Sequence, residues 1–485
     1  MIETTSEQHI QALETLKAVG QEHILAGYDR LKPAEQESLL AEIASVDWAE
    51  VARLVKTHVE SKPKFKLPEN IEPAPWYPNV PSAELEQFYR TAFEAGCAMV
   101  RDGKVCAFTV AGGQGTRLGW DAPKGTFPAT PIRKVPLFGC LAEYIRAIEM
   151  RFGVVIRWYI MTSPANDADT RAYFEDQNYF GLDPDQVMIF PQGMMPAIGM
   201  STGKVLMASP SSVALSPNGH GGSLKALETS GALDDMARHG IEHISYTQID
   251  NPIVRVIDPL FLGLHAISGS QMSSKMLPKA YPKEKLGNFC VVDGRVTIIE
   301  YSDLPDELAY ETVESGDLRF RAGSIAIHTI RRDFVELLNR SAQGFALPYH
   351  RAEKKVPYLD LKSGKQVEPD KPNAVKLETF VFDALPLCST SIVYETERID
   401  EFAPIKNADT PAGEEPANDS PQTSRTIQSE RAARWLSELG VQVPRQADGS
   451  IDATLEISQI TAIYKEDLDG SKLPGRIEPG QEVLL

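Results

Sequence analysis

Short apolar runs alternate with polar, helix-like stretches through the middle of the chain. Val105–Val110 and the segments "VVIRWYIMT", "HISYTQID" and "GSIAIHTI" are typical of short buried strands. Between them, "DADTRAYFEDQ" and "SLKALETSGALDDMARHG" have the pattern of helices with a polar face. Because strands that alternate with helices form a sheet covered by helices, the pattern predicts an α/β core over residues 101–385.

The two ends of the chain have other patterns. Residues 1–100 repeat apolar positions at helical spacing, with Asp47 in an N-cap position, until the Pro-rich segment "KPKFKLPENIEPAPWYPNVPS" breaks the pattern. Residues 386–485 hold an acidic, Pro-containing link, a helix that ends at Gly440, and short runs with turn residues. We therefore predict three domains: a helical N-terminal region, the α/β core, and a small, partly β C-terminal domain.

Composition and charge narrow the possible functions. The chain has 485 residues and a net charge of -18, which disfavours a nucleic-acid partner because phosphate backbones attract clustered Lys and Arg. No stretch approaches the roughly 20 apolar residues of a membrane span, and the N-terminus has no apolar leader, so we expect a cytoplasmic protein. The scattered, odd-numbered cysteines are expected to be reduced and structural. They are Cys97, Cys106, Cys140, Cys290 and Cys388.

A glycine-rich segment, "GGQGTRLGWDAPKG", directly follows the predicted strand Val105–Val110. It is not a P-loop, and it lacks the third glycine of a dinucleotide fingerprint because Leu118 stands there. Glycines let the backbone approach phosphate oxygens closely, and Arg117 and Lys124 can neutralise phosphate charge. Taken alone, such a loop is more often a strand-to-helix turn with two solvated basic side chains.

Further segments occur together with this loop in a fixed order: "WYIMTS", "YFGLDPDQVMIFPQGMMPA", "QIDNPIVRVIDPLFLG", "IIEYSDLP", "VEPDKPNAVKLETFVFDAL" and "DEFAPIKNADT". With "GGQGTRLG" and "PKG", they resemble the eukaryotic-type UDP-sugar pyrophosphorylases over roughly residues 75–470, and within these the UDP-N-acetylglucosamine pyrophosphorylase branch. The resemblance implies a nucleotidyltransferase fold, with a Rossmann-like, mixed and mostly parallel sheet. It also implies additions at both ends of the chain.

The activity implied by the resemblance is the reaction of UTP with a sugar 1-phosphate to give a UDP-sugar and pyrophosphate. The sugar phosphate oxygen attacks the α-phosphorus directly, so the protein must hold two polyanions in line and neutralise their charge. The implied cofactor is Mg²⁺, and the partners are the two substrates. The resemblance leaves the oligomeric state open.

The resemblance also assigns residues to UTP. Arg117 and Lys124 are the catalytic residues that hold the triphosphate, and Asp250 binds the metal. Taken alone, Asp250 could equally cap the turn before Asn251, and Gln192 would be a loop glutamine bonded to local backbone. The residues implied to bind UTP are Val110, Ala111, Gly112, Gly113, Lys124, Gln192, Gly219, Asp250 and Lys376.

A second group is implied to bind the sugar phosphate: His220, Glu300, Tyr301, Ser324 and Lys406. In the N-acetylglucosamine branch, asparagines that contact the sugar stand where this chain has His220 and Ser324. Histidine at the first position resembles glucose-specific and broad-range relatives. We therefore expect N-acetylglucosamine 1-phosphate to be slightly favoured, with glucose 1-phosphate or several sugar 1-phosphates as the alternative.

Two aromatic residues near Lys376, Phe380 and Phe382, alternate along "TFVFD" and are expected on one face of a strand, in the core or at the sugar.

Other classes of protein account for less of the sequence. An inactive, UDP-sugar-binding relative would be expected to lack Arg117, Lys124 or Asp250, and all three are present. A nicotinamide-dependent oxidoreductase would need the missing third glycine. A glycosyltransferase would not be expected to keep the triphosphate-binding segments "GTRL" and "PKG".

Overall fold

The computed structural model describes residues 2–62, 66–340, 345–411 and 413–485. Residues 63–65 of the Pro-rich segment and residue 412 of the acidic link lie outside the described residues. The chain forms two compact units. The first unit comprises Met1–Leu67, Gln192–Lys225 and Leu347–Val381, and the second comprises Pro68–Pro191, Ala226–Ala346 and Phe382–Leu485. The three successive domains expected from the sequence stay a prediction, since each unit combines separated segments.

The described α-helices are α1 Ile2–Ala18, α2 Pro33–Ser45, α3 Trp48–Leu54, α4 Glu86–Arg101, α5 Leu137–Phe152, α6 Asp167–Asp176, α7 Gly222–Thr229, α8 Ala232–Arg238, α9 Pro259–Ile267, α10 Asp306–Ala309, α11 Arg332–Asn339, α12 Arg398–Glu401 and α13 Pro421–Glu438.

The described strands are β1 Glu72–Pro73, β2 Val105–Val110, β3 Trp158–Thr162, β4 Val187–Pro191, β5 Met194–Pro196, β6 Ile198–Gly199, β7 Met207–Ser209, β8 Ser212–Val213, β9 Leu215–Pro217, β10 His243–Gln248, β11 Met272–Pro278, β12 Gly287–Val292, β13 Arg295–Ile299, β14 Ala322–Arg331, β15 His350–Lys354, β16 Tyr358–Asp360, β17 Lys365–Val367, β18 Ala374–Glu378, β19 Val393–Glu395, β20 Ala453–Glu456 and β21 Gln481–Leu484.

A mixed sheet forms the centre of the second unit. Along its main path the strands follow the order β1-β12-β14-β10-β2-β3-β4, and β11, β13 and β19 pair off this path. Strands β10, β2, β3 and β4 are parallel neighbours, whereas β14 pairs antiparallel with β10, β11 and β12. The predicted α/β class with a mixed sheet is therefore confirmed, and most of the parallel pairing lies in one half of the sheet.

Helices cover the parallel half, which explains the continuous apolar runs of the sequence. All five residues of β3 are buried, as expected for a strand with both faces covered. Phe138 of α5, Trp158 of β3 and Phe174 of α6 pack edge to face, with ring centroids 5.0 to 6.4 Å apart. This aromatic cluster joins two helices to the sheet.

The first unit has its own core. Apolar residues of α1, α2 and α3, including Leu16, Leu39 and Leu54, pack with Ile198 of β6 and Leu377 of β18. Strand β18 pairs antiparallel with β15 and β6, and β5 pairs antiparallel with β9. The predicted N-cap is confirmed, since Asp47 accepts a 3.0 Å hydrogen bond from the backbone N–H of Glu50.

The C-terminal part of the second unit contains the predicted helix and a small β element. Helix α13 begins earlier than the pattern indicated, with Ser420 as its N-cap, and Gly440 follows its end with a φ of +91°. Strands β20 and β21 pair parallel to each other. All five cysteines are free and buried. Across the described residues, the search found no helix whose length and apolar character would let it span a membrane.

Candidate functional site

The glycine-rich loop leaves the carboxyl end of β2 and folds back on itself. Ala111 is buried and donates its N–H to Met161 O at 2.7 Å, and the N–H of Lys124 returns to Gly113 O at 3.1 Å. Asn166 donates to both Ala111 O and Gly113 O, at 3.0 and 3.2 Å. A Cβ placed on Gly113 would meet no atom within 4 Å, so this side of the loop is open. Sequence analysis missed Asn166, which holds the loop closed.

The loop places Lys124 beside Asp250, which follows the neighbouring strand β10. Because β2 and β10 are parallel, with Val110 opposite Gln248, the segments after both strands meet at one edge of the sheet. Lys124 Nζ lies 3.9 Å from Asp250 Oδ2, and their side chains are 16% and 13% exposed. The distance exceeds that of a direct hydrogen bond, so neither charge is fully satisfied by the other.

Positive charges gather around Lys124. Burial lowers the pKa of its ammonium, Asp250 raises that pKa in part, and the charges of Lys406 and Arg117 lower it again. Arg117 is exposed on the short helix Thr116–Leu118. Lys406 lies 3.5 Å from Asp419 Oδ2. The second unit therefore brings together three predicted phosphate-binding cations and one acid, an arrangement that suits a polyanion.

Asp250 was also tested as a magnesium ligand. Among the described residues, no cluster of three or more His, Cys, Asp or Glu side chains could hold a metal by itself. Mg²⁺ commonly binds one or two carboxylates and completes its shell with water and substrate phosphates. Because the Asp250 carboxylate lies next to phosphate-binding cations and is not bound in a tight ion pair, it fits a magnesium ion of this kind.

A second group of predicted residues meets where β12, β13 and β14 pair. Gly287 of β12 lies opposite Ser324 of β14. A Cβ on Gly287 would come within 3.4 Å of Glu300 Oε1 and 3.9 Å of Ser324 Cβ. The sheet therefore brings Glu300 and Ser324 together around Gly287, which sequence analysis missed. Tyr301 follows in a turn and is 36% exposed.

The first unit holds Gln192 and Gly219 at one end of the β5–β9 pair. Met194 lies opposite Pro217, and the N–H of Asn218 approaches Gly193 O at 3.4 Å. Gln192 precedes this ladder, is buried, and is thereby held near Gly219. This placement agrees with a shared role for the two residues.

The glycines around His220 have a packing role. Gly219 has a φ of +84°, and a Cβ there would lie 2.4 Å from Thr379 O. The N–H of Gly221 donates to Thr379 O at 2.8 Å, and Asn218 O accepts from the N–H of Thr379 at 2.8 Å. Close backbone contact with Thr379 therefore accounts for part of the "NGHGG" pattern.

His220 is held by the segment that follows β18. Its Nδ1 accepts a hydrogen bond from the N–H of Val381 at 3.2 Å, which makes Nε2 the protonated nitrogen. The ring stacks on Phe380, which also stacks on His350. Burial, followed by the nearby His350, lowers the pKa of His220 to about 4. The imidazole is therefore neutral at pH 7.

Lys376 lies on β18, opposite Ala352 of β15. The expectation that Phe380 and Phe382 share a strand face is wrong. Strand β18 ends at Glu378, and Phe382 lies in the short helix Val381–Leu387. The backbone around Thr379 bonds to Asn218 and the glycine turn, as described above, so the alternation in "TFVFD" does not continue the strand.

Comparison with known proteins adds evidence of descent. The UTP--glucose-1-phosphate uridylyltransferase family matches residues 69–410. The human UDP-N-acetylhexosamine pyrophosphorylase-like protein 1 is 35% identical, over 90% of this chain and 86% of that protein. UDP-N-acetylglucosamine pyrophosphorylase of Saccharomyces cerevisiae is 33% identical, over 96% of this chain and 97% of that protein. A solved uridine diphosphate N-acetylglucosamine pyrophosphorylase of Trypanosoma brucei has a TM-score of 0.81 at 25% identity, and covers 97% of this chain and 98% of its own. These likenesses confirm the resemblance that the sequence motifs indicated.

We expect His220 to gain a proton only near pH 4. Because this pKa lies below the ordinary 6.5, the unfolded chain binds the proton first as pH falls. The stability that His220 contributes is therefore complete above pH 6.5 and is lost between pH 6.5 and about 4. Histidine NMR titration measures the midpoint, and His220→Asn should flatten the fall of Tm in this window. A midpoint near 6.5 would contradict the expectation.

Proposed function

Because the chain belongs to the UTP--glucose-1-phosphate uridylyltransferase family, we propose that it transfers the uridylyl group of UTP to a sugar 1-phosphate and releases pyrophosphate. N-acetylglucosamine 1-phosphate is the favoured acceptor, since relatives similar over nearly the whole chain are named UDP-N-acetylglucosamine pyrophosphorylases. The observation that carries the proposal is the pairing of Lys124 with Asp250 at the shared edge of two parallel strands.

The reaction needs charge neutralisation and alignment more than covalent help from the protein. An oxygen of the sugar phosphate forms a bond to the α-phosphorus of UTP, and the bond from that phosphorus to the bridging oxygen of pyrophosphate breaks. Lys124 and Arg117 neutralise the triphosphate, and the electron pair of the broken bond leaves with pyrophosphate. The loop from Val110 to Gly113, including Gly112, presents its backbone to the nucleotide.

The remaining residues recognise the two substrates. Gln192 and Gly219 contact uracil, because a side-chain amide both donates and accepts, as the base edge requires. Lys376 and Lys406 bind phosphate groups, and Glu300, Tyr301 and Ser324 accept or donate hydrogen bonds at the sugar. Mg²⁺ held by Asp250 would supply further neutralisation of the phosphates.

Glucose 1-phosphate is a second candidate acceptor because of His220. A neutral imidazole that uses Nδ1 to accept from Val381 has a bulkier ring than an asparagine amide and a single N–H. This difference changes the room and the hydrogen bonding offered to the 2-position of a sugar. The inactive relative and the nicotinamide enzyme gain no support from the geometry.

Lys124→Ala and Arg117→Ala should each lower kcat/KM by more than about tenfold, equivalent to roughly 1.4 kcal/mol of transition-state stabilisation. Each change removes a positive charge that faces the triphosphate. The measurement is pyrophosphate release from UTP and N-acetylglucosamine 1-phosphate, with Lys472→Ala as a control at an exposed lysine of the second unit. Near-normal kinetics in both folded loop variants would exclude the loop from the active site.

Asp250→Asn should abolish turnover or raise the Mg²⁺ concentration that half-maximal activity requires. The amide keeps the shape of the side chain but loses the charge that binds a hard cation. A magnesium titration of activity, with Asp258→Asn left out because Asp258 is bound to Lys275 in the core, tests this directly. An unchanged titration curve would assign Asp250 to turn capping alone.

A panel of sugar 1-phosphates tests the acceptor. The wild-type protein should release pyrophosphate with N-acetylglucosamine 1-phosphate, glucose 1-phosphate or both. His220→Asn combined with Ser324→Asn should shift the ratio of kcat/KM values toward the N-acetylated sugar by about 1 to 3 kcal/mol, the range for one polar contact or a small steric change. Identical ratios in the two proteins would place both residues away from the sugar.

A further inference from the structure

Lys275 is a fully buried lysine in the sheet of the second unit, outside the predicted site. It lies on β11, and its side chain is 0% exposed. Its Nζ lies 2.6 Å from Asp258 Oδ2 and 2.6 and 2.7 Å from the two oxygens of Glu401. The rings of Phe261 and Tyr394 lie within 6.0 Å of the ammonium. We call Lys275, Asp258 and Glu401 the buried ion cluster.

Each carboxylate of the buried ion cluster is further fixed by hydrogen bonds. Asp258 caps α9 by accepting from the N–H of Leu260 at 3.1 Å, and Glu401 accepts from the Thr396 hydroxyl at 2.8 Å. Burial would raise the pKa of Asp258, but the charge of Lys275 lowers it by more, so this carboxylate is ionised. Such a cluster confers little net stability compared with an apolar core, whereas removing one partner leaves a buried charge uncompensated.

The buried ion cluster is connected to the candidate site through Asn251. The side-chain N–H of Asn251 donates to the backbone O of Glu401 at 2.6 Å, and its Oδ1 accepts from the N–H of Ala403 at 3.1 Å. The N–H of Ile405 then donates to Asp250 O at 2.8 Å. Thus the turn that carries Asp250 and the segment from Glu401 to Lys406 are bonded along their length.

We propose that Lys275 is a positioning residue that holds Asp250 and Lys406 in the geometry needed for uridylyl transfer. The ammonium fixes Glu401, Glu401 and Ala403 fix Asn251, and Asn251 fixes the turn at Asp250. Lys406 directly follows Ile405, so the same connection sets where its side chain begins. The inference rests on the proposed function, because it assigns a purpose to the placement of two residues of that site.

A role in folding alone is the rival explanation, and the arrangement favours positioning. Helix α9 and β11 are already joined by apolar contacts, whereas residues 402–406 form neither helix nor strand. An irregular segment has no ladder of backbone bonds to fix it, so side-chain contacts must do so. The contacts made by Glu401 and Asn251 are of this kind.

The first test compares stability with turnover. Lys275→Met should lower kcat by about tenfold or more while the KM for UTP changes by less than about threefold. Adding Glu401→Gln balances the buried charges again and should raise Tm toward the wild-type value without restoring kcat. Where Lys275→Met does not fold, this double variant takes its place. Recovery of kcat together with Tm would overturn the proposal.

A matched control comes from another ion pair of the second unit. Arg157, just before β3, lies 2.8 Å from Asp235, and the two side chains are 18% and 13% exposed. It precedes the amino end of a parallel strand and thus lies at the edge opposite to Asp250. Arg157→Met should lower Tm but leave kcat/KM within about twofold of wild type. An equal loss of kcat in Arg157→Met and Lys275→Met would also overturn the proposal.

A double-mutant cycle tests the connection itself. Since Lys275 and Asn251 act on the same segment, the loss of kcat/KM in Lys275→Met combined with Asn251→Ala should be smaller than the product of the single losses. Arg157→Met combined with Asn251→Ala should give the full product. Independent effects in both cycles contradict positioning. A wild-type protein that releases no pyrophosphate contradicts the proposed function instead, and calorimetric UTP affinities of the same variants then decide whether the connection acts on binding.

Discussion

Parallel pairing between β2 and β10 is the constraint on which the candidate site depends. Because both strands run the same way, the loop after Val110 and the turn at Asp250 lie at one edge whatever side chains they carry. Antiparallel strands would have placed the two segments at opposite edges. The pairing lets an ammonium and a carboxylate face each other at 3.9 Å without a tight ion pair, so both charges remain available to a phosphorylated substrate.

Local patterns predicted a large part of the fold. Strand Val105–Val110 has the predicted bounds, and Asp47 caps a helix as expected, because both features depend on neighbouring residues along the chain. The ordered motifs also identified the family. The placement of Lys124 beside Asp250 agrees with the site that the resemblance implied, although the roles of these residues stay predictions.

Features that depend on distant segments could not be predicted in this way. Gly287 lies beside Glu300 only because β12 pairs with both β13 and β14, and no pattern within one strand reveals that register. Phe380 and Phe382 follow an alternation typical of a strand, but contacts of Thr379 with the remote Asn218 end the strand before them. Tertiary contacts overrode local propensity here.

The first unit, which is assembled from three separated segments, has a consequence for synthesis on the ribosome. Residues 1–67 emerge early, but their core includes Leu377, so it cannot be completed until the segment Leu347–Val381 has been translated. At about 5–20 residues per second this delay is on the order of tens of seconds, during which apolar faces of α1, α2 and α3 are exposed. The nascent chain is therefore a substrate for chaperones that bind apolar helices until the last segment arrives.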